Sequence, residues 1–329
     1  MSDICLSSRV RLARNYEDFP FRRKMTPAQS EQCVQRTLEA LRDLEQPYTY
    51  LPLRGMEENE KKLLLESHLI SADLMEHEET GAALLRDDEK VSVLMNEEDH
   101  LRILGWEDGE ALETAAEYAF SIDSAVQRQF RFAFDEQWGF LTASPTNAGT
   151  GLKASMILHL PMLTLFKQMG QVNQLAAKLR LTIRGMYGEG SEAQGHLYLL
   201  SSLGTLGRTE KETLGEVAAT ARQIAQMERQ LREKAMEKDM TLFEDQVFRG
   251  YGLLSNARRM PLKEFMVHWS NLRLGAASGK LPVTTAVCDT MLMRAQPAHV
   301  CKAAGGTADP RAKDIARSDI IRKLLSGAA

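Results

Sequence analysis

Two arginines near the N-terminus are spaced so that they could bind one anion. Within residues 7–11, Arg9 and Arg11 are two positions apart, so both side chains point to the same face if the segment is extended. Guanidinium groups bind the oxygens of a polyphosphate through charge-assisted, paired hydrogen bonds. Alternate basic residues on an edge strand also simply deter aggregation, and the pair alone does not decide between the two interpretations.

A second cluster combines three carboxylates with an imidazole. It reads Asn96-Glu97-Glu98-Asp99-His100 and follows directly on residues 90–95, whose pattern predicts a short strand. When two carboxylates lie side by side, either the pKa of one of them is raised or the pair binds a cation such as a guanidinium. The alternative interpretation is a solvated turn.

A turn with two glycines, residues 145–151, lies between Ser144 and Lys153. Its backbone amides could cradle an anion, but the spacing of a phosphate-binding P-loop is absent. Residues 188–193 fit a dinucleotide-binding glycine pattern only superficially, because no βαβ unit surrounds them.

The elements that must position these clusters are typical of an α+β fold. Thr26 with Gln29, and Thr209 with Glu212, form capping boxes that begin helices over 27–45 and 209–238. Strands are predicted at 90–95, 130–134, 181–186 and 196–200, without the regular rhythm of a parallel sheet. Helical segments follow at 248–254, 262–269 and 283–294. We therefore predict a catalytic domain over 1–238 and a helical C-terminal domain over 239–329, which we expect to form a homodimer.

Composition excludes several classes of protein. The 329 residues include 41 basic and 45 acidic side chains, a net charge of -4, which argues against a protein that coats nucleic acid by charge alone. The four cysteines have no metal-ligand or disulfide-framework spacing. Because no signal peptide or membrane-length apolar run is visible, we expect a cytoplasmic protein without membrane or direct nucleic-acid partners.

In the same order along the chain, these clusters resemble motifs of the phosphagen (guanidino) kinase family. The matching motifs are Ser-Ser-Arg-x-Arg, Asn-Glu-Glu-Asp-His-x-Arg, Pro-Thr-Asn-x-Gly-Thr and a late Arg-Gly loop. The greatest likeness is to the bacterial protein-arginine kinases, with which the chain shares residues 8–15, 68–71, 184–193 and 251–256. The resemblance implies a catalytic domain built on an antiparallel sheet flanked by helices.

The resemblance also implies roles for individual residues. Glu98 matches the carboxylate that grips the target guanidinium and acts as a base, Glu97 is its neighbour, and Glu189 matches a second carboxylate on a mobile loop. Two carboxylates suit the forked guanidinium, and cations neutralise a transferring phosphoryl group. The residues that match the ligands of ATP, which carries Mg²⁺, are Arg9, Arg11, Arg102 and Arg184. No metal ligand from the protein itself is predicted.

The chain departs from the family pattern at three places. Ser144 stands where the family has a cysteine beside the guanidinium, and a hydroxyl has no comparable anionic form at pH 7. Lys153 replaces an arginine in the ATP site, which keeps the charge but loses the bidentate fork. The allosteric phosphoarginine motif of the protein-arginine kinases is reduced here to Lys313, Asp314 and Arg317, for which a charged terminal helix is the alternative interpretation.

The function that the resemblance implies is ATP-dependent phosphorylation of arginine residues in proteins. In that family branch the modification marks proteins for Clp-type proteolysis in a stress response, which suggests the Clp machinery and an activator protein as partners. Ser144 and Lys153 leave open a weakly active pseudokinase that serves as a phosphoarginine-binding adaptor. A kinase for a free guanidino metabolite is the third hypothesis.

Overall fold

The computed structural model describes residues 3–186, 193–306 and 309–327. The strands are β1 (Cys5–Arg14), β2 (Tyr48–Pro52), β3 (Ala82–Arg86), β4 (Val91–Met95), β5 (Leu101–Asp108), β6 (Phe134–Asp135), β7 (Gly139–Phe140), β8 (Leu152–His159), β9 (Leu181–Gly185) and β10 (Leu197–Ser202). The helices are α1 (Pro27–Ala40), α2 (Glu58–Glu66), α3 (Ala72–Met75), α4 (Leu112–Gln127), α5 (Pro161–Leu165), α6 (Met169–Lys178), α7 (Glu210–Lys238), α8 (Met240–Asn256), α9 (Leu262–Ala277), α10 (Thr285–Arg294), α11 (Pro297–Ala303) and α12 (Pro310–Ser326).

Eight strands form one antiparallel sheet, in the order β2-β3-β4-β5-β1-β8-β10-β9. The other two strands of the described ranges, β6 and β7, form a small separate hairpin. Helices flank the sheet, and the chain after α7 is helical. The predicted α+β fold with a helical C-terminal region is therefore confirmed.

One face of the sheet carries the main core. Val10 and Leu12 of β1 are fully buried in a cluster that includes residues of α1, α4 and α7. The approach of α4 is very close at Gly105 of β5, where a Cβ atom would lie 1.9 Å from the carbonyl oxygen of Ala115. Glycine is therefore required at 105, because any side chain there would push α4 away from the sheet.

The opposite face is covered only in part by helices. A smaller cluster packs residues of α3 and the preceding turn, among them Leu69 and Leu74, against Leu94 of β4 and Leu104 of β5. Further along, toward β1, β8 and β9, the same face carries basic side chains, which are described below.

The C-terminal helices contact the part of the chain that carries the sheet. The carboxylate of Glu66, at the end of α2, accepts hydrogen bonds from the backbone N–H of Ala298 (2.8 Å) and of His299 (3.3 Å) in α11. Trp269 of α9 is fully buried and lies against Gly195, which precedes β10. Of the helices in the described ranges, none has the length and apolar character needed to cross a membrane.

Some predictions of individual helices and strands are confirmed and others are wrong. Both capping boxes are confirmed: Thr26 with Gln29 begins α1, and Thr209 with Glu212 begins α7. The predicted helix over 27–45 extends too far, because the chain leaves the helix at Leu41, which turns into the core. The strand at 130–134 is wrong, since the N–H of Phe130 still bonds to Val126 at the end of α4, and only β6 begins at residue 134.

Candidate active site

Five basic side chains share the open face of the sheet. Arg11 of β1 and Lys153 of β8 are directly paired across the two strands, and residues paired in this way project to the same face. Arg102 of β5 is paired with Ala13 of β1, two positions from Arg11, so it lies on that face too. The register of β8, β10 and β9 places Arg184 there as well. Residues far apart in sequence therefore form one basic surface together with Arg9.

Burial and mutual repulsion shape the electrostatics of this surface. Burial, reinforced by Arg11 and Arg102, lowers the pKa of Arg9 to about 10, and burial with Arg102 nearby lowers that of Arg11 to about 10. The pKa of Lys153 is lowered by burial and then by Arg11, Arg184 and Arg102. With pKa values of about 10, Arg9 and Arg11 are charged at pH 7, so the surface attracts anions. Within the described part of the chain, the buried Nε of Arg11 has no hydrogen-bond partner.

The two adjacent glutamates of the acidic cluster have different environments. Glu97 is fully buried, and its carboxylate accepts hydrogen bonds from Ser71 Oγ, from Arg102 Nη1 and, at 3.1 Å, from the backbone N–H of Glu98. The Glu98 side chain is 36% exposed, and its Oε2 lies 3.4 Å from Arg102 Nη2. Glu98 is thus the accessible carboxylate, and Glu97 holds Arg102 in place.

The remaining polar residues of the cluster fix the turn itself. Asn15 donates to Asp99 Oδ1 (2.7 Å) and accepts from the backbone N–H of His100 (2.9 Å). The His100 ring accepts from the N–H of Tyr16 at 2.9 Å, and burial lowers the pKa of this imidazole. Asn96 adopts a left-handed backbone with φ 59°. These residues shape the chain so that it presents Glu98.

A buried asparagine joins the basic surface to the acidic pair. Asn147 accepts from Arg11 Nη2 and donates to Glu98 Oε2, each at 3.4 Å. This residue is not among the predicted site residues, although its place in the Pro-Thr-Asn motif was an available signal. Ser144, on the same loop, is half-buried, and its hydroxyl bonds to Thr146 Oγ1 at 2.8 Å.

A cavity of about 550 Å³ opens beside Arg9, between the sheet, the β3–β4 hairpin and α10. Its wall includes His68 and Trp106, whose rings stack with centroids 5.5 Å apart. Trp106 is the cross-strand partner of Arg9. Burial, with Arg9 nearby, lowers the pKa of His68 to about 4, so the imidazole is neutral at pH 7. A neutral, stacked wall of this kind suits a flat heteroaromatic ring.

The residues predicted to sense phosphoarginine lie apart from this surface, on α12. Arg317 is buried and donates to the carbonyl oxygens of Ala295 (2.8 Å) and Met260 (2.9 Å) and to Asp314 Oδ1 (3.1 Å). Asp314 and Arg317 therefore hold α12 against neighbouring helices, while Lys313 is half-buried beside them. Their sensing role stays a prediction.

The structure thus brings most of the predicted catalytic and ATP-binding residues to one face, although the role of each stays a prediction. Glu189 lies outside the described residues. The other residues of the two sets contribute to the surface or its bordering loop: Arg9, Arg11, Arg102, Lys153, Arg184, Glu97, Glu98 and Ser144.

Comparison with known proteins gives a consistent result over nearly the whole chain. The family model for the ATP:guanido phosphotransferase C-terminal catalytic domain matches residues 29–231, and the model for the protein-arginine kinase McsB C-terminal domain matches residues 240–329. The predicted domain boundary at 238 itself stays a prediction.

Curated relatives are similar along almost their full length. The protein-arginine kinase of Caldanaerobacter subterraneus subsp. tengcongensis is 37% identical over 98% of this chain and 97% of its own length. The protein-arginine kinase of Brevibacillus brevis is 39% identical over 98% of this chain and 92% of its own length.

Solved structures share the architecture. The duplicated taurocyamine kinase from Schistosoma mansoni, with bound transition state analogue components, has a TM-score of 0.62 and 28% identity, covering 70% of this chain and 33% of that one. A lombricine kinase, at 22% identity and the same TM-score, covers 71% of this chain and 68% of its own and supports the fold alone. With a matched catalytic-domain model and full-length relatives, the chain belongs to the ATP:guanido phosphotransferase family of enzymes.

Proposed function

We propose that this enzyme transfers the γ-phosphoryl group of ATP to arginine side chains of proteins. The observation that carries the proposal is the junction at Asn147, which joins a surface of five cations to an accessible carboxylate, Glu98. A phosphoryl donor needs the cationic surface, and a guanidinium acceptor needs the carboxylate. The protein-arginine kinases to which the chain is similar support a protein as the acceptor.

The site offers a separate place for the triphosphate and for the adenine of ATP. Its triphosphate would lie along the basic surface, where burial and then neighbouring arginines lower the pKa of Arg9, Arg11 and Lys153. A bound anion would relieve the repulsion among these cations. Its adenine would occupy the adjoining cavity against His68 and Trp106. The phosphates would then point from this cavity toward Glu98.

The accessible member of the acidic pair orients and deprotonates the acceptor. Glu98 accepts hydrogen bonds from the target guanidinium and holds one nitrogen in line with the γ-phosphorus. As that nitrogen bonds to phosphorus, the bond from phosphorus to the β,γ-bridging oxygen breaks and ADP leaves with the electron pair. The nitrogen gives its proton to the Glu98 carboxylate. Glu97 does not reach the acceptor in this scheme, since its oxygens already bind Ser71 and Arg102.

Mg²⁺ would arrive with the nucleotide. Magnesium in kinase sites is held largely by the phosphate oxygens of its nucleotide. Bound there, it would neutralise part of the phosphate charge.

Two other functions are alternatives to this proposal. Ser144 and Lys153 would suit a weakly active pseudokinase that binds phosphoarginine as an adaptor. A kinase for a free guanidino metabolite would use the same carboxylate and the same basic surface.

An ATP-labelling experiment separates these functions. Purified enzyme with Mg²⁺ and γ-labelled ATP is incubated with an unfolded, arginine-rich protein or with free arginine. We expect an acid-labile label on the protein that is lost in Glu98→Gln and kept in Glu233→Gln, which changes an exposed glutamate of α7. Labelling of free arginine alone would support the metabolite kinase. Absence of any labelling, together with phosphoarginine binding, would support the adaptor.

The wider setting is part of the same proposal. Delivery of the products to a Clp-type protease, a stress-response role and an activator protein follow from the resemblance alone. The homodimer and the cytoplasmic location follow from the sequence pattern, and all five stay predictions.

A further inference from the structure

An exposed apolar surface lies beside the loop that carries Ser144 and Asn147. Phe134, Trp138 and Leu206 are 59%, 50% and 45% exposed, and together they line a hollow of about 420 Å³. We call these three side chains the hairpin patch. A contiguous group of large apolar side chains exposed to water is typical of an interaction surface, and aromatic residues are enriched at such surfaces.

The hairpin that carries two of these residues is rigid. Asp135 Oδ1 accepts hydrogen bonds from the N–H groups of Gln137 (2.8 Å) and Trp138 (3.0 Å), which fixes the turn between β6 and β7. The ring of Phe134 packs edge-on against Phe140, with centroids 5.3 Å apart. The backbone that carries Trp138 is thus fixed by its turn, so little backbone entropy would be lost when a partner binds there.

The patch is connected by hydrogen bonds to the candidate active-site loop. Phe140 of β7 pairs with Gly149 through two backbone hydrogen bonds of 2.8 and 3.3 Å. On the other side, Thr205, next to Leu206, donates to the carbonyl oxygen of Thr146 at 3.3 Å. Gly149 has φ +105°, and a Cβ there would lie 2.5 Å from the carbonyl oxygen of Thr205. The patch and the loop therefore form one continuous, closely packed surface.

Charges around the patch favour a cationic partner. Glu210 and Glu212 line the same hollow, and Asp135 and Glu136 lie on the hairpin. The basic residue of this hollow, Arg208, is paired with Glu216. A polypeptide that contains arginine meets complementary charge here.

We propose that the hairpin patch binds an apolar side chain of a protein substrate, close in sequence to the arginine that enters the site at Glu98. The inference rests on the proposed function and extends it, because it names a feature of the substrate other than the arginine. The target would be an arginine flanked by leucine or aromatic residues in an exposed segment. A second copy of this chain is the competing occupant, and the experiment below tests it.

The experiment uses two fluorescein-labelled peptides of equal length and charge, each with a single arginine. One has leucine and phenylalanine around the arginine, and the other has glycine and serine. Binding is measured by anisotropy and phosphorylation by kcat/KM, for wild type, for Trp138→Ser/Leu206→Ser and for Leu165→Ser. Leu165 is a matched control, since it is 50% exposed at the end of α5.

For wild type and Leu165→Ser, we expect the apolar peptide to bind about tenfold more tightly than the glycine and serine peptide. In the double variant this ratio should fall to about one, with kcat/KM for the glycine and serine peptide unchanged. The docking inference is wrong, while the proposed function stands, if both peptides are phosphorylated and the double variant still prefers the apolar one. The same conclusion follows if both peptides are phosphorylated and wild type shows no preference for the apolar one. If no peptide is phosphorylated but binding still depends on the patch, the proposed function fails and the docking site stands.

Light scattering tests the competing occupant. A lower molar mass for the double variant than for wild type and Leu165→Ser would show that the patch joins two copies of the chain, which would overturn the inference. We expect equal masses for all three proteins.

Discussion

Arg11 and Lys153 face each other as direct neighbours on β1 and β8, although both are positively charged. Like charges in directly opposed positions destabilise a sheet. Burial, with Arg102 nearby, lowers the pKa of Arg11, and burial followed by the charge of Arg11 lowers the pKa of Lys153. The sheet therefore holds an unfavourable pair whose repulsion a bound anion would relieve.

Replacement of one member of this pair should stabilise the fold and weaken nucleotide binding. We expect Lys153→Gln to raise the free energy of unfolding by about 0.5 kcal/mol and to weaken ATP binding about tenfold. Urea denaturation and titration calorimetry measure the two quantities. Lys178→Gln, at an exposed position of α6, should change neither, and a Lys153→Gln protein that is less stable than wild type would contradict the prediction.

The two glutamates of the acidic pair should respond differently to the same substitution. Glu97→Gln leaves Arg102 without its buried carboxylate, so we expect a loss of about 2 kcal/mol or more in the free energy of unfolding. Glu98→Gln should change stability by less than about 0.5 kcal/mol but lower the transfer rate by at least about a hundredfold. Urea denaturation measures the stability of each variant, and transfer of label from ATP measures its rate. Equal stability losses in both variants would refute this division of roles.

Replacement of Ser144 by cysteine tests whether the loop hydroxyl limits the rate. A thiolate near the guanidinium would stabilise its positive charge in a way that a hydroxyl does not. We expect Ser144→Cys to raise kcat about tenfold, with the gain growing as pH rises through the thiol pKa. Thr146→Cys is the control on the same loop, and an unchanged kcat for Ser144→Cys between pH 6 and 9 would mean that position 144 is too far from the reacting nitrogen to matter.

A buried carboxylate outside the site should make stability depend on pH. Burial raises the pKa of Glu228 to about 7, although its oxygens accept the N–H groups of Met162 (2.8 Å) and Leu163 (2.9 Å). In the unfolded chain the pKa of a glutamate is about 4.3. Between these two pH values the folded state binds more protons than the unfolded state, so this group lowers stability as pH rises through that window.

Glu228→Gln removes this contribution while keeping an acceptor for the backbone. We expect the difference in unfolding free energy, variant minus wild type, to increase by on the order of 3 kcal/mol from pH 4.5 to pH 7.5. Urea denaturation at a series of pH values measures it, with Glu233→Gln as the control on the same helix. Parallel pH profiles for wild type and Glu228→Gln would rule out the raised pKa.

The parts of the structure that sequence could predict are those that local contacts determine. The starts of α1 and α7 depend on hydrogen bonds between residues three apart, such as Thr26 with Gln29, and both were predictable. The end of α1 and the irregular segment at Phe130 depend on packing against distant residues, and there the predictions were wrong.

The candidate site shows the same limit. Motif resemblance could select Arg102 and Lys153, but their shared face follows from strand register. The register pairs Arg102 with Ala13 and Lys153 with Arg11, residues about 90 and about 140 positions apart. The bridging role of Asn147 was not predictable, because it requires Arg11 and Glu98 to lie within reach of one side chain.

The close contact at Gly105 has a consequence for how this enzyme can change during evolution. Gly105 is on β5, which also carries Arg102, and Val10 across from it is the residue between Arg9 and Arg11. A mutation that displaced α4 from Gly105 would therefore tilt the strands that hold the arginines, although no atom of the basic surface would be altered. Selection for nucleotide binding should in this way constrain a residue of the hydrophobic core, and loss of function could arise at a position that never contacts a substrate.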